Sequence, residues 1–243
     1  MESIWHLYPS IRAAMPFQLA LNELLFRDRE ESYCRAENKD NALRDFPPIL
    51  RFYYASEAVQ SIGYLQRQGF NEPMIRRLTG GGIVRHGGDF LFTLVAHKGH
   101  DESFQSVRIS YLKIHEAVKR ALEKRGDQPR FYRCDEDLPP GEHCFASPIA
   151  TDLALDGRKV AGGAQKRSSR MMLHEESLQL RGGVRSREFE IYLTQAFSEI
   201  FKVRVIPVQL PPEILRRAES LAREKYQPLN RSQASLPAEG VCA

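Results

Sequence analysis

Asp156-Gly157 stands between two short alternating segments, residues 151–155 and 159–165, and constrains the fold more than any other feature of the chain. A two-residue Asp-Gly connection favours a type I′ turn, whose backbone twist matches that of two paired strands. An antiparallel hairpin is therefore expected here, with residues 171–180 as a third strand. Further strands are read at 49–55, 58–65 and 89–96, and in the short VRVIPV segment after residue 202. Such strands need helices to cover them. Helical spacing appears in 16–29, through Phe17, Leu21, Leu24 and Leu25. It recurs in 106–125, through Val107, Leu112, Ile114, Val118 and Leu122 with Gly126 just past the end, and in 186–201 and 211–226. The charged stretch 30–47, closed by Pro47-Pro48, reads as a loop. From Pro228 large apolar residues are few, which reads as a mobile tail. The expected architecture is α+β: a mixed, mostly antiparallel sheet with helices on one face, a single domain over 1–226 and a tail over 227–243.

Composition bounds the function. The 243 residues are 42% hydrophobic, enough for a core without disulfide or metal staples. Lys and Arg number 35 against 31 Asp and Glu, a net +4, too small an excess to suggest a nucleic-acid partner. No apolar run reaches membrane-spanning length, and the start MESIWHLYPSIRAAMPFQ has no signal-peptide pattern, so a cytoplasmic protein without a membrane partner is expected. The four cysteines, Cys34, Cys134, Cys144 and Cys242, form no CxxC pair; neither a metal site nor a disulfide is expected.

Three stretches could carry chemistry. In RRLTGGGIVRH, Gly80, Gly81 and Gly82 permit close approach of backbone to a ligand, and Arg76, Arg77 and Arg85 would suit an anion; a plain glycine-rich turn is the alternative. It is neither a Walker A loop nor GxGxxG. In GRKVAGGAQKR, Lys159 leaves the hairpin ahead of the small residues Gly162, Gly163 and Ala164, and either enters a pocket or is solvated. Cys144 lies in LPPGEHCFASP, just before the hairpin; a thiolate near a cation becomes a usable nucleophile, whereas a buried thiol is inert. His143 is its neighbour on the chain and points away in extended backbone, so it is a poor activating base.

In order, LRFY (50–53), RRLTGGG with His86, GRKVAGGAQKR and AREKY (222–226) resemble the biotin/lipoate protein ligase superfamily, nearest its lipoate–protein ligase A and octanoyltransferase branches. The resemblance covers roughly residues 1–226. It implies a sheet flanked by helices, related to the class II synthetase catalytic domain. It also implies a medium-chain acyl group and the target lysine of a lipoyl domain as substrates. The CFxxP segment at Cys144-Phe145 and Pro148, eight residues before Asp152, resembles the branch that transfers octanoyl from acyl carrier protein through a cysteine thioester.

The resemblance therefore implies an octanoyl-[acyl-carrier-protein]:protein N-octanoyltransferase. Cys144 would be the nucleophile, and Lys159 would stabilise the thiolate and the oxyanion. Arg77, Thr79, Gly80, Gly81, Gly82, His86, Gly162, Gly163 and Ala164 would bind substrate. The implied partners are acyl carrier protein and lipoyl domains of 2-oxoacid dehydrogenases or glycine cleavage H protein. No cofactor is implied; ATP and Mg²⁺ enter only under the alternative of an ATP-dependent lipoate ligase. Arginines 76, 77, 158, 167 and 170 would assist docking of acidic carriers. Two departures stand out. Glu175-Glu176 replaces the Gly-Ser usual after His174, as if to alter docking or leave an idle lipoyl-domain or carrier binder. Arg85 takes a place often apolar or aromatic.

Overall fold

The computed structural model describes residues 3–66, 72–132, 150–180 and 187–229. An eight-stranded sheet runs in the order β11-β1-β2-β6-β10-β9-β8-β7. Its strands are β1 (Ser3–Ala13), β2 (Ile49–Ala55), β6 (Phe90–His97), β7 (Arg130–Phe131), β8 (Leu153–Leu155), β9 (Arg158–Arg167), β10 (Met171–Leu178) and β11 (Val203–Pro207). β1 pairs in parallel with β2 and β11, and every other neighbouring pair is antiparallel. The mixed, mostly antiparallel sheet expected from the sequence is present. A smaller sheet, β4-β3-β5, is formed by β3 (Val59–Ile62), β4 (Met74–Arg76) and β5 (Val84–His86), and carries the glycine-rich segment between β4 and β5.

The Asp-Gly turn forms as expected. Asp156 and Gly157 have φ of 52° and 74°, the left-handed pair of a type I′ turn, between β8 and β9. α3 (Val107–Lys124) starts where Ser106 accepts from the Ile109 N–H. It ends in a Schellman motif, with Gly126 N–H to Glu123 O at 2.9 Å and Asp127 N–H to Leu122 O at 3.0 Å.

Helices cover both faces of the sheet, not one. α3 and α4 (Arg187–Phe201) bury one face with Leu50, Phe52, Phe90, Phe92 and Leu94, whereas α1 (Met15–Arg35) and α5 (Pro212–Lys225) bury the other with Ile49, Tyr53, Leu91 and Val95. The reason lies in β2 and β6, whose near-continuous apolar runs present core residues on both sides. Residues 30–47 also differ from the expected loop: α1 continues to Arg35 and α2 (Lys39–Asp45) follows. Their charges belong to an exposed helix face, while Tyr33 turns inward and stacks on His97 with ring centroids 4.2 Å apart. Val107, counted among the apolar face of α3, is exposed. Within the stretch read as a tail, the Leu229 N–H bonds Met74 O at 2.8 Å; residues 230–243 lie outside the described residues. Among the described residues no helix is long and apolar enough to cross a membrane.

Candidate active site

β9, β10, the small sheet and the start of α1 meet at a narrow cleft. Its walls include Met15, Leu19, Tyr53 and Leu91 on the apolar side and Arg77, His86, Glu175 and Ser177 on the polar side, with Gly162, Gly163 and Ala164 as its floor. About 30 Å³ is open inside, room for a water or two. Two buried polar networks shape it.

The first holds the glycine-rich segment. Arg77 donates through Nη2 to the carbonyls of Gly80 (2.7 Å) and Gly82 (2.9 Å), and through Nη1 to Ser61 Oγ (2.9 Å). Ser61 Oγ lies 2.7 Å from His86 Nε2, and His86 Nδ1 lies 2.7 Å from Asp89 Oδ2. Asp89 also accepts from Ser177 Oγ (2.8 Å) and the Gly87 N–H (3.1 Å). Burial pushes the Asp89 carboxyl up, but His86, Ser177 and Gly87 outweigh it and hold it below the usual range. The Ser61–His86–Asp89 order has the spacing of a nucleophilic triad. Ser61 is fully buried and already takes a bond from Arg77, so it serves as a strut. Gly81 has φ 87°, and a Cβ on Gly63 would stand 2.0 Å from Gly81 O, so the two glycine backbones interlock.

The second network underlies the cleft. Thr79 Oγ1 donates to Glu175 Oε2 (2.7 Å), and Asn22 Nδ2 donates to Glu175 Oε1 (2.8 Å). Asn22 Oδ1 accepts from Arg51 Nη1 (2.6 Å), and Arg51 also bonds Gln18. Arg51 is fully buried; burial brings its pKa down to about 10, against the pull of Tyr53 and Glu175, and it stays charged at neutral pH. A buried cation and a buried carboxylate are thus bridged by one amide, which ties β2, α1, β10 and the glycine-rich segment together.

Lys159 is set apart from the cleft walls. Its Nζ lies 2.7 Å from Asp152 Oδ2, with both side chains almost wholly buried. The register slips between β8 and β9 at Leu153/Ala154, and Val160 and Ala161 both pack into the α3/α4 core. This β-bulge turns Lys159 to the other side of the strand, a common use of bulges beside active sites. The solvated alternative for Lys159 is excluded.

Several sequence expectations change. Arg76 donates to the carbonyls of Gly63 (3.1 Å), Tyr64 (3.0 Å) and Gln66 (2.7 Å), and Arg77 grips the glycine carbonyls, so both shape the backbone rather than await an anion. Arg167 bonds Phe104 O and Gln165, whereas Arg158, Arg170 and Arg85 are exposed. Glu175 and Glu176 are buried on opposite faces of β10 and have internal partners, so they are not a docking surface. Cys144, Cys134 and Cys242 lie outside the described residues; Cys34 is exposed at the end of α1. Residues given no role from the sequence complete the site: Ser61, Asp89, Asn22 and Asp152 outside the motifs, and Arg51 within LRFY. Arg51, one cation inside an apolar strand, and Asp89, three residues after His86, were the readable signals.

Residues 16–209 match the lipoyl protein ligase A/B catalytic domain family. The chain belongs to that family. Octanoyltransferase LipM of Bacillus subtilis is 30% identical over 196 residues, which span 74% of this chain and 66% of that protein, just under two thirds of its length. Octanoyltransferase LipM of Oceanobacillus iheyensis is 24% identical over 233 residues, 76% of this chain and 85% of the relative. Both relatives carry the name of the octanoyltransferase branch that the motifs resemble. In fold the chain is similar to the bi-partite lipoate protein ligase of Thermoplasma acidophilum, with a TM-score of 0.68 and 20% identity over 99% of this chain and 100% of that one. The lipoyl ligase family thus accounts for the helix-flanked mixed sheet.

Proposed function

We propose that this protein transfers an octanoyl group from an acyl carrier protein thioester to the target lysine of a lipoyl domain, through a thioester on Cys144. The carrying observation is its likeness to several bacterial proteins named octanoyltransferase LipM, the first of them 30% identical. The Cys144 thiolate attacks the carrier thioester carbonyl; a carbon–sulfur bond forms, and the carrier thiolate leaves and takes a proton. The lipoyl-domain amine then attacks the octanoyl-Cys144 carbonyl, the amide forms, and the Cys144 thiolate departs while the amine loses its proton. Lys159, fixed by Asp152, supplies positive charge to the thiolate and to each oxyanion.

The cleft suits the acyl chain. Gly162 follows Lys159 by three residues on the same strand, and the bulge between them keeps the span below the roughly 10 Å of a regular strand, within reach of an extended eight-carbon chain. With so little open room, the chain enters by parting Met15, Leu19 and Leu91; an unbranched Met yields readily. The ATP-dependent ligase alternative needs cations for an adenylate phosphate, and the occupied guanidinium groups of Arg76 and Arg77 do not favour it. The test is transfer to a lipoyl domain from octanoyl carrier without ATP, beside free lipoate with ATP and Mg²⁺. Product is expected only in the first. Product only in the second, unchanged by Cys144→Ala, makes the protein a ligase; binding without product in either makes it an idle binder.

A further inference from the structure

His115, on α3, sits fully buried between two acceptors. Its Nδ1 meets the carbonyl oxygen of Thr151, and its Nε2 lies 3.0 Å from Glu176 Oε2. A carbonyl can only accept, so Nδ1 carries a proton. Glu176 Oε2 also takes a bond from His174 Nε2 at 2.8 Å, while Gln165 Nε2 donates to His174 Nδ1 at 3.2 Å. That arrangement makes His174 the neutral Nε2–H tautomer and leaves Oε2 accepting from both rings. His115 therefore donates from both nitrogens as an imidazolium, against the carboxylate of Glu176. The pair is entirely enclosed, and Glu176 Oε1 has no hydrogen-bond partner among the described residues.

A buried ion pair is weak evidence for stability, and an unpaired buried oxygen adds a cost, so the pair calls for another role. Its second contact supplies one. Thr151 directly precedes Asp152, whose carboxylate fixes Lys159, and the Asp152 carbonyl accepts from the Tyr132 N–H at 2.8 Å. We propose that His115 and Glu176 are positioning residues for Lys159: the charged ring holds Thr151, and through it sets the aspartate that aims the lysine. This rests on Lys159 serving octanoyl transfer as described above. The groups facing His115 are Tyr111 on its own helix, His174 and Glu176 from β10, and the Asp152–Lys159 pair beyond Thr151. Glu176, Asp152 and the Thr151 bond favour the charged ring more than burial opposes it, so it stays protonated above the usual histidine range.

The test combines ¹⁵N–¹H spectra of histidine-labelled full chain with transfer kinetics. His115 is expected to show two ring N–H groups at neutral pH and to lose one as pH rises, with kcat falling in step and KM for the lipoyl domain unchanged. An Asn side chain can place its amide N–H where Nδ1 stands, and Gln where Nε2 stands. His115→Asn and His115→Gln, each made together with Glu176→Gln to leave no lone charge, should both lower kcat, the Asn pair at least about threefold less than the Gln pair because only Asn keeps an N–H on Thr151. A singly protonated His115 at neutral pH, or equal activity in the Asn and Gln variants at matched thermal stability, overturns the positioning role. No transfer by the wild-type protein refutes the proposed function instead, and the spectra still report on the pair.

Discussion

At the scale of single residues, Lys159 carries the sharpest expectation. A preorganised cation facing a developing oxyanion is worth roughly 3–4 kcal/mol, so Lys159→Ala should slow transfer about 10²–10³-fold. Lys159→Arg should restore only part of it, because the planar fork does not fit the socket that Asp152 makes for a point charge. Near-normal turnover in Lys159→Ala would remove the lysine from the chemistry. Two carboxylates set the acid limit of stability. Burial raises Glu176, but His115 and His174 bring it down to about 2 from an ordinary value of 4.5. Its folded value is depressed, so its contribution is complete above about 4.5 and is lost as pH falls toward 2. Asp89 behaves alike, losing its share as pH drops through its lowered folded value. His115 is the opposite case: raised in the fold, it contributes fully below about 6.5 and loses that share as pH rises through its folded value. The Tm gap between wild type and Glu176→Gln should therefore be widest near pH 5–6 and shrink on both sides. A gap constant from pH 3 to 8 would contradict the ion pair.

At the scale of elements, β9 shows what the sequence disclosed and what it withheld. Its hairpin was legible because Asp-Gly forces a turn, and Gly162, Gly163 and Ala164 were legible as a floor because small residues in a strand admit a close neighbour. That neighbour was not legible. A Cβ on Gly163 would lie 2.5 Å from Glu176 Oε2 and 2.6 Å from His174 Cε1. Gly163→Ala should therefore cost about 1–3 kcal/mol by overpacking, and a double variant with Glu176→Ala should lose less than the sum of the two single losses, because the Glu176 side chain makes one of the clashes. Additive losses in denaturant unfolding would show that the two residues do not share that space. The bulge that turns Lys159 was hidden as well, since it depends on register with β8 rather than on any residue of β9. Arg76 and Arg77 were ambiguous for a related reason: a cation beside glycines suits an anion or a carbonyl equally, and only the fold decides. α1 hid its polar interior because Gln18 and Asn22 break its apolar pattern, yet they point inward to Arg51 and Glu175.

At the scale of the whole molecule, the closing of α5 on α1 joins two helices far apart along the chain. Glu23, fully buried, receives Lys225 Nζ at 2.7 and 2.9 Å and also bonds Tyr226 and Arg27. Tyr226→Phe removes one hydrogen bond to a charged group and should cost about 1.5–3 kcal/mol in thermal or denaturant unfolding without changing kcat. No measurable loss would make the clasp incidental. Of the arginines expected to dock acidic carriers, Arg158 and Arg170 are exposed, and if they serve that role, association with carrier should slow as salt rises from low to physiological levels. A salt-independent association rate would argue against basic docking. The central claim is the cysteine route, and mass spectrometry of the intact protein after incubation with octanoyl carrier protein tests it most directly, without ATP. The account predicts one hydroxylamine-labile octanoyl group, mapped to Cys144, lost in Cys144→Ala and discharged by a lipoyl domain. An octanoyl group on another residue, or one that survives Cys144→Ala, would contradict it.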